Sequence, residues 1–302
     1  MSTSTIKRAD SLKNTDRKKE LAGWAMFAPA GILLLVFLII PIILTFGLAF
    51  TDSKLISPNP PQFIGLDNFT RLFSSDTFWI SLRNTIIFAA VVVPVQSGIA
   101  LLLAILINGK FRGVNFFRTV YFLPVVTSMV VVSMLWMFMY QPNGLINTVL
   151  EKIGITGPDW LGDTHSALPA IIVMSIWQAV GMHMVIWLAG LQTIPGELYE
   201  AAQMDGASRW AQFKNVTWPG LTQTRTFILI TITIAAFSLF TQINIMTQGG
   251  PRDATSTLVY QAVRTGFQQQ QTGYAATISL VFFALVLIVN LIQRFLTRDK
   301  EL

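Results

Sequence analysis

Residues 84–107 read Asn84-Thr85-Ile86-Ile87-Phe88-Ala89-Ala90-Val91-Val92-Val93-Pro94-Val95-Gln96-Ser97-Gly98-Ile99-Ala100-Leu101-Leu102-Leu103-Ala104-Ile105-Leu106-Ile107, without one ionisable side chain. A helix needs roughly 20 such residues to cross a hydrocarbon core about 30 Å thick, and only a helix or a closed barrel satisfies its own backbone hydrogen bonds there. Five further stretches read the same way, at about 22–50, 119–140, 167–191, 226–247 and 273–293, and none of the six holds Asp, Glu, Lys or Arg. The sequence therefore predicts an all-α integral membrane protein of six transmembrane helices. The first stretch, through the Leu33-Leu34-Leu35-Val36-Phe37-Leu38-Ile39-Ile40-Pro41 run, is too long for the apolar core of a secretory signal and lacks an A-x-A cleavage site. It is expected to remain as an anchor, bent near Pro29 or Pro41.

Composition agrees. Of 302 residues, 53% are apolar and 12% charged, about half the roughly 25% charge of soluble domains, and mean hydropathy is +0.58. The absence of cysteine removes disulfides, thiol catalysis and thiolate metal sites, and two histidines are too few for a typical zinc site, so neither a metal nor a catalytic residue is expected. The net charge of +6 would suggest nucleic acid in a soluble chain; here the basic residues sit between apolar runs, and no nucleic-acid partner is expected.

Cytoplasmic loops carry the excess of Lys and Arg. The N-terminal tail holds six (Lys7, Arg8, Lys13, Arg17, Lys18, Lys19), the second connection Lys110, Arg112 and Arg118, the fourth Arg209, Lys214 and Arg225, and the C-terminus Arg294, Arg298 and Lys300. The opposite side holds only Lys54, Arg71, Arg83, Lys152, Arg252 and Arg264. Both termini are thus expected in the cytoplasm. The organisation follows as a basic cytoplasmic tail, 1–21, a polytopic domain, 22–297, with a long cytoplasmic connection, 192–225, and a short cytoplasmic tail, 298–302.

A carrier that exchanges a coupling ion keeps ionisable groups inside its spans, and here His183 stands alone. No G-x-x-x-x-G-K-[ST] loop cradles a nucleotide, and no H-E-x-x-H, G-x-S-x-G or intramembrane carboxylate pair is present. Polar and aromatic residues do sit in the spans: Asn84, Gln96, Trp177, Gln178, His183, Trp187, Gln242 and Asn244. Uncharged amides in hydrocarbon bond neighbouring helices or face a wet cavity. Amides exchange hydrogen bonds with hydroxyls while indole faces cover apolar C–H patches, as a hydroxyl-rich solute requires. Gln178, Trp177, Gln242, Asn244, Gln96 and His183 are accordingly the candidates for lining a substrate path, with interhelical bonding the plainer account of each.

The connection 192–225 is much longer than packed helices need. It runs Ile194-Pro195-Gly196-Glu197-Leu198-Tyr199-Glu200-Ala201-Ala202-Gln203-Met204-Asp205-Gly206-Ala207-Ser208-Arg209-Trp210, with Phe213 and Trp218-Pro219 beyond. Proline opens a helix whose first turn carries Glu197, at the positive end of its dipole, with Glu200 following. Leu198, Ala201, Ala202 and Asp205 share one side, and Glu197, Glu200 and Met204 another. Gly206 can end the helix in the left-handed conformation, and Ser208 can cap a second helix running to about Val216.

The pattern Glu200-Ala201-Ala202-x-x-Asp205-Gly206-Ala207, closed by Phe213 and Pro219, resembles the EAA loop in permease subunits of binding-protein-dependent ABC importers. Phe63-Ile64-Gly65-Leu66-Asp67-Asn68-Phe69, Thr247-Gln248-Gly249-Gly250-Pro251 with Ala254-Thr255, and Gly273-Tyr274-Ala275-Ala276 are similar to the carbohydrate-uptake branch. One departure is Trp218-Pro219 where that family more often has Leu-Pro. The resemblance implies a type I importer permease fold in a bacterial or archaeal plasma membrane. It implies as partners a second, similar permease chain, a dimer of ATPase subunits holding ATP and Mg, an extracytoplasmic solute-binding protein and the lipid bilayer. Carried over, Glu200 is the acidic contact to the ATPase, Ala201 and Ala202 the close-packed face, and Asp205, Gly206 and Ala207 the turn. An ion-coupled secondary carrier and a non-transporting membrane scaffold are the alternatives.

Overall fold

The computed structural model describes Glu20, residues 22–109 and residues 113–298. The rest of the basic tail 1–21, Lys110 and Arg112 of the second connection, and residues 299–302 lie outside the described residues. The described chain is helical, and its one β-type contact is an isolated bridge between Thr51 and Phe63.

Five helices are long and apolar enough to cross a membrane: Ala22–Leu48, Asp76–Ile107, Ala167–Gln192, Thr222–Met246 and Thr272–Phe295. A bent pair, Val114–Val126 with Met129–Met139, accounts for the sixth stretch. The first span is continuous through Pro29. Ahead of Pro41 it widens to a π segment, Leu35–Ile39, with the Ile40 N–H donating to the Leu35 carbonyl. Proline cannot donate to the ladder, and one residue of π register accommodates the gap without ending the helix.

Three spans differ from the sequence reading. The second span begins at Asp76 rather than near residue 84, because the mixed stretch 76–83 buries one stripe, with Phe78 at 1% and Ser81 at 0% exposure. The third stretch is broken by 98° at Thr127-Ser128. Pro124 removes a donor from the last turn, and Thr127 and Ser128 take extended ψ values of 140° and 133°. The expected single helix over 119–140 is therefore two. The fifth span also breaks, at Ser238–Phe240, between Thr222–Phe237 and Thr241–Met246.

The fourth span, Ala167–Gln192, is the hub. Trp187, Met184, Met174 and Ile171 are buried within it, and it packs on the second span, on Val114–Val126 and on the fifth span. Close approach needs small residues in the absence of a hydrophobic drive between helices in lipid. Gly181 supplies one: a Cβ there would collide with the Tyr121 carbonyl of the neighbouring helix. Gly190 supplies another, against the side chain of Thr224 on the fifth span. The first span, by contrast, buries none of its apolar window within the chain and touches the sixth mainly near its end, where Phe46 meets Phe283.

Gly181→Ala is expected to cost about 1–3 kcal/mol, since it overpacks against backbone that cannot step aside. Gly98→Ala, in open space within the second span, is expected to be neutral or stabilising by up to about 1 kcal/mol from helix propensity. Thermal unfolding of the purified protein in detergent checks the contrast; equal melting shifts for the two would contradict this packing.

Candidate functional site

The long connection forms a helical hairpin. Its first helix, Gly196–Met204, follows Pro195 and has Glu197 in its first turn. Its end is a Schellman turn: the Gly206 N–H donates to Gln203 O at 3.0 Å and the Ala207 N–H to Ala202 O at 2.9 Å. Gly206 has φ +73°, as that turn requires. The Ser208 hydroxyl then accepts from the Ala211 N–H at 3.3 Å, capping Arg209–Gln212. The second helix does not stop near Val216 but continues through a π segment, Phe213–Thr217, to Trp218–Gly220. As at Pro41, the π segment falls just ahead of a proline, Pro219.

The first hairpin helix buries nothing fully. Glu197, Glu200, Ala201 and Asp205 are exposed, as are Leu198 at 51% and Met204 at 88%, while Ala202 is half-buried. Tyr199 is half-buried too and turns toward the second helix. The Tyr199 hydroxyl lies 2.9 Å from that of Thr217, a tie the sequence reading did not anticipate. The hairpin root is tight too, because Ile194 packs directly on Gly220. Trp218, which replaces the more usual leucine, packs on Phe213 and lies under Arg225, whose guanidinium is 4.6 Å from its ring centroid.

Within the spans, a cavity of about 320 Å³ opens between the second, fourth and fifth helices and the bent third. Gln96, Gln178, His183 and Gln242 all line it. Gln96 Nε2 sits 2.8 Å from His183 Nδ1, which also lies 3.0 Å from Ala179 O. Gln178 donates to the Pro124 carbonyl at 3.4 Å, which also accepts the Thr127 N–H at 3.3 Å, and so ties the fourth span to the place where the third stretch breaks. Gln178 thus has a bonding duty between helices as well as a place in the cavity wall. Trp177 and Asn244 are not in the lining. One residue turns a helix by 100°, and Trp177 accordingly faces an apolar groove beside Val95, Ile99 and Leu123, packed on Trp136. Asn84 is also structural, donating to Asp253 O and Ser256 O at 2.9 and 3.0 Å.

Sequence reasoning missed Ser175, Ser238 and Thr241, which complete the polar wall. Ser175 stands three residues before Gln178 on the same helical face, a usable signal. Its Oγ is buried without a partner among the described residues. Phe88, Val92, Ile232 and Leu239 supply the apolar remainder. Such a wall offers amide and hydroxyl groups between apolar patches, and no charge.

The remaining sequence motifs are load points of the opposite end. Asn68 donates to Ala49 O and Thr51 O at 3.1 and 2.9 Å, fastening the end of the first span. Thr277 donates to the same Ala49 carbonyl at 2.9 Å, and the Gly273 N–H to Ser53 O at 2.9 Å. Among the described residues no cluster of His, Cys, Asp or Glu could hold a metal ion.

Residues 96–301 match the family of binding-protein-dependent transport system inner membrane components. The chain belongs to this family. The permease is similar to the lactose transport system permease protein LacF of Rhizobium radiobacter, 35% identical over 297 residues and covering 96% of this chain and 99% of that one. It is similar to the trehalose/maltose transport system permease protein MalF of Thermococcus litoralis, 34% identical over 266 residues, with 88% and 90% covered. Its fold matches a chain of a bacterial ABC transporter involved in the import of the acidic polysaccharide alginate, with a TM-score of 0.82, 26% identity, and 95% and 99% of the two chains covered. A second structure of the alginate transporter, in complex with an alginate pentasaccharide-bound periplasmic protein, gives a TM-score of 0.83 at 25% identity, with 94% and 96% covered. The permease is therefore a multi-pass membrane transport subunit and not an enzyme.

Gln242→Ala and Ser175→Ala are expected to lower solute uptake about tenfold while leaving complex yield near wild type, because the loss of one hydrogen bond to a hydroxyl solute costs on the order of 1 kcal/mol and an empty buried partner more. Gln178→Ala is expected to lower yield as well, through the lost tie between the fourth span and the Pro124 carbonyl. Uptake per mole of purified complex separates the two outcomes; parallel losses of uptake and yield at Gln242 would mark it as structural.

Proposed function

We propose that this permease forms half of the translocation path of an ATP-driven importer for a sugar or sugar-like solute. A second, similar permease chain completes the path, and two ATPase subunits bind ATP and Mg on the cytoplasmic side. An extracytoplasmic solute-binding protein delivers the solute. The observation that carries this reading is the hairpin 195–220: a short, exposed helix closed by a Schellman turn and anchored at both ends to the fourth and fifth spans. Its role is docking, with Glu200 as the acidic contact, Ala201 and Ala202 as the close-packed face and Asp205-Gly206-Ala207 as the turn. The names of the sugar-transporting relatives and the uncharged polar wall of the cavity together support a hydroxyl-rich solute.

The coupling follows from linkage. A partner that binds nucleotide in a closed arrangement shifts the permease only through contacts that differ between the two arrangements. Here those contacts are on the hairpin. Closure of the ATPase pair moves the Glu200 helix as a rigid body, and the fourth and fifth spans, which wall the cavity, tilt between inward-open and outward-open states. Gln96, Gln178, His183 and Gln242 then meet the solute in turn from one side of the membrane and the other.

Glu200→Lys is expected to leave the complex assembled while lowering ATPase stimulation by loaded binding protein about tenfold or more, as charge reversal at a docking contact does. Gly206→Val strains a left-handed residue and is expected to have the same effect. Wild-type stimulation and uptake in both variants would overturn the role of the hairpin. Orientation has its own test, helped by the absence of native cysteine. A single cysteine at Ser208 is expected to react with a membrane-impermeant maleimide only after the membrane is opened, and one at Ser57 in intact cells; the reverse pattern would invert the topology.

A further inference from the structure

At the end of the molecule away from the hairpin, two arginines converge on one polar cavity of about 320 Å³. Arg71 comes from the short helix Asp67–Phe73, with its guanidinium 4.1 Å from the centroid of the Tyr274 ring. Arg264 opens the π segment Arg264–Gln268, and its Nη1 lies 3.9 Å from Asp253 Oδ1. That pair is long and its side chains are 44% and 33% exposed, so it spends few of the guanidinium donors. Stacking occupies a face of Arg71 and leaves its in-plane N–H groups free for other bonds. Between the two, Gln261 is 7% exposed, and its Oε1 is buried with no partner among the described residues.

The frame around this cavity is built, not incidental. Asn84 holds Asp253 O and Ser256 O, the Ser81 and Ser256 hydroxyls meet at 2.9 Å, and Thr85 Oγ1 accepts from the Leu258 N–H at 3.1 Å. The top of the second span thereby fixes the loop that carries Asp253 and the helix that carries Gln261 and leads to Arg264. Preorganised donors are what a tight, orientation-specific contact requires. The cavity has room for one side chain and a few waters, at about 30 Å³ per water. Phe267, in the same π segment as Arg264, stands 70% exposed beside the exposed Gln268, Gln269 and Gln270. An aromatic beside convergent arginines is the composition of a protein interface hot spot.

We propose that this cavity is a socket for a carboxylate side chain on the rim of the extracytoplasmic solute-binding protein. The proposal rests on the importer reading above and goes beyond it by naming where and through what chemistry the two proteins meet. The carboxylate accepts from Arg71 and Arg264, and a water carried with it donates to Gln261 Oε1. Asp253, at 3.9 Å, holds Arg264 only loosely and leaves its guanidinium donors available to that carboxylate.

The test uses the complete complex reconstituted in nanodiscs of neutral lipid, with loaded binding protein titrated and ATPase activity read as half-saturation and maximal rate. Arg264→Glu is expected to raise the half-saturating concentration about ten- to hundredfold with little change in maximal rate, the size of a lost charge-assisted bond. Arg264→Lys is expected to fall between. Gln269→Glu, an exposed change at the cavity mouth that leaves the frame untouched, must raise half-saturation too, which keeps the proposal testable if the Arg264 variants assemble poorly. High salt should raise half-saturation more in wild type than in Arg264→Glu. Half-saturation within twofold of wild type for Gln269→Glu and an assembled Arg264→Glu would overturn the socket, as would a fall in maximal rate alone. An effect that follows anionic lipid content instead of binding protein would overturn it by making the site a headgroup site. A wild-type complex indifferent to binding protein would instead overturn the importer reading itself.

Discussion

The two spans that carry the hairpin meet where Gly190 of the fourth lies against Thr224 of the fifth, and the proposed coupling runs through that junction. No side chain fits between them, and below this point Ile194 sits on Gly220 and Tyr199 bonds Thr217. Interiors packed this closely move as bodies and not by bending. From Gly190 to Gln178 is twelve residues of continuous helix, about 18 Å along its axis. In the proposed coupling a displacement of the hairpin reaches the cavity wall along this helix, and the fourth and fifth spans carry it together.

Hydrocarbon imposes the second constraint. A carbonyl freed by a broken helix has no water to bond, so the structure must find it a donor. At the break of the third stretch the Pro124 carbonyl takes the Thr127 N–H at 3.3 Å, and Gln178 of the fourth span adds a second bond to it at 3.4 Å. One amide thus bonds a neighbouring helix and lines the cavity, so bonding between helices and contact with solute are not exclusive readings for it. Ser175, buried beside it with an unpartnered hydroxyl, carries the opposite balance. At the other end of the molecule the same economy ties Asn84, Ser81 and Thr85 to the loop after the fifth span.

The spans were legible because hydrocarbon length and the exclusion of charge leave a signal that local packing cannot disguise, as residues 84–107 show. The hairpin was legible because its turn chemistry is local: Pro195, Gly206 and Ser208 act as their residue types dictate. What sequence concealed was rotation and register. Trp177 and Gln178 are neighbours, and only the packing of the fourth span on the second decides that the glutamine meets the cavity and the indole the outer groove. The 98° break was concealed for a similar reason, since Pro124 sits comfortably inside many membrane helices and the turn is made by the extended Thr127 and Ser128 that follow it. Residues 76–83 were misjudged as loop because their buried stripe is narrow and partly hydroxyl, with Ser81 wholly buried.

The account stands on energy entering from outside this polypeptide. Its most direct test is solute accumulation in proteoliposomes, with a panel of labelled disaccharides and with the permease present either alone or in the complete complex with binding protein and enclosed ATP. Accumulation in the complete complex, lost when ATP is withheld and absent for the permease by itself, is the predicted result. Concentrative uptake by the permease alone, without nucleotide, would contradict it.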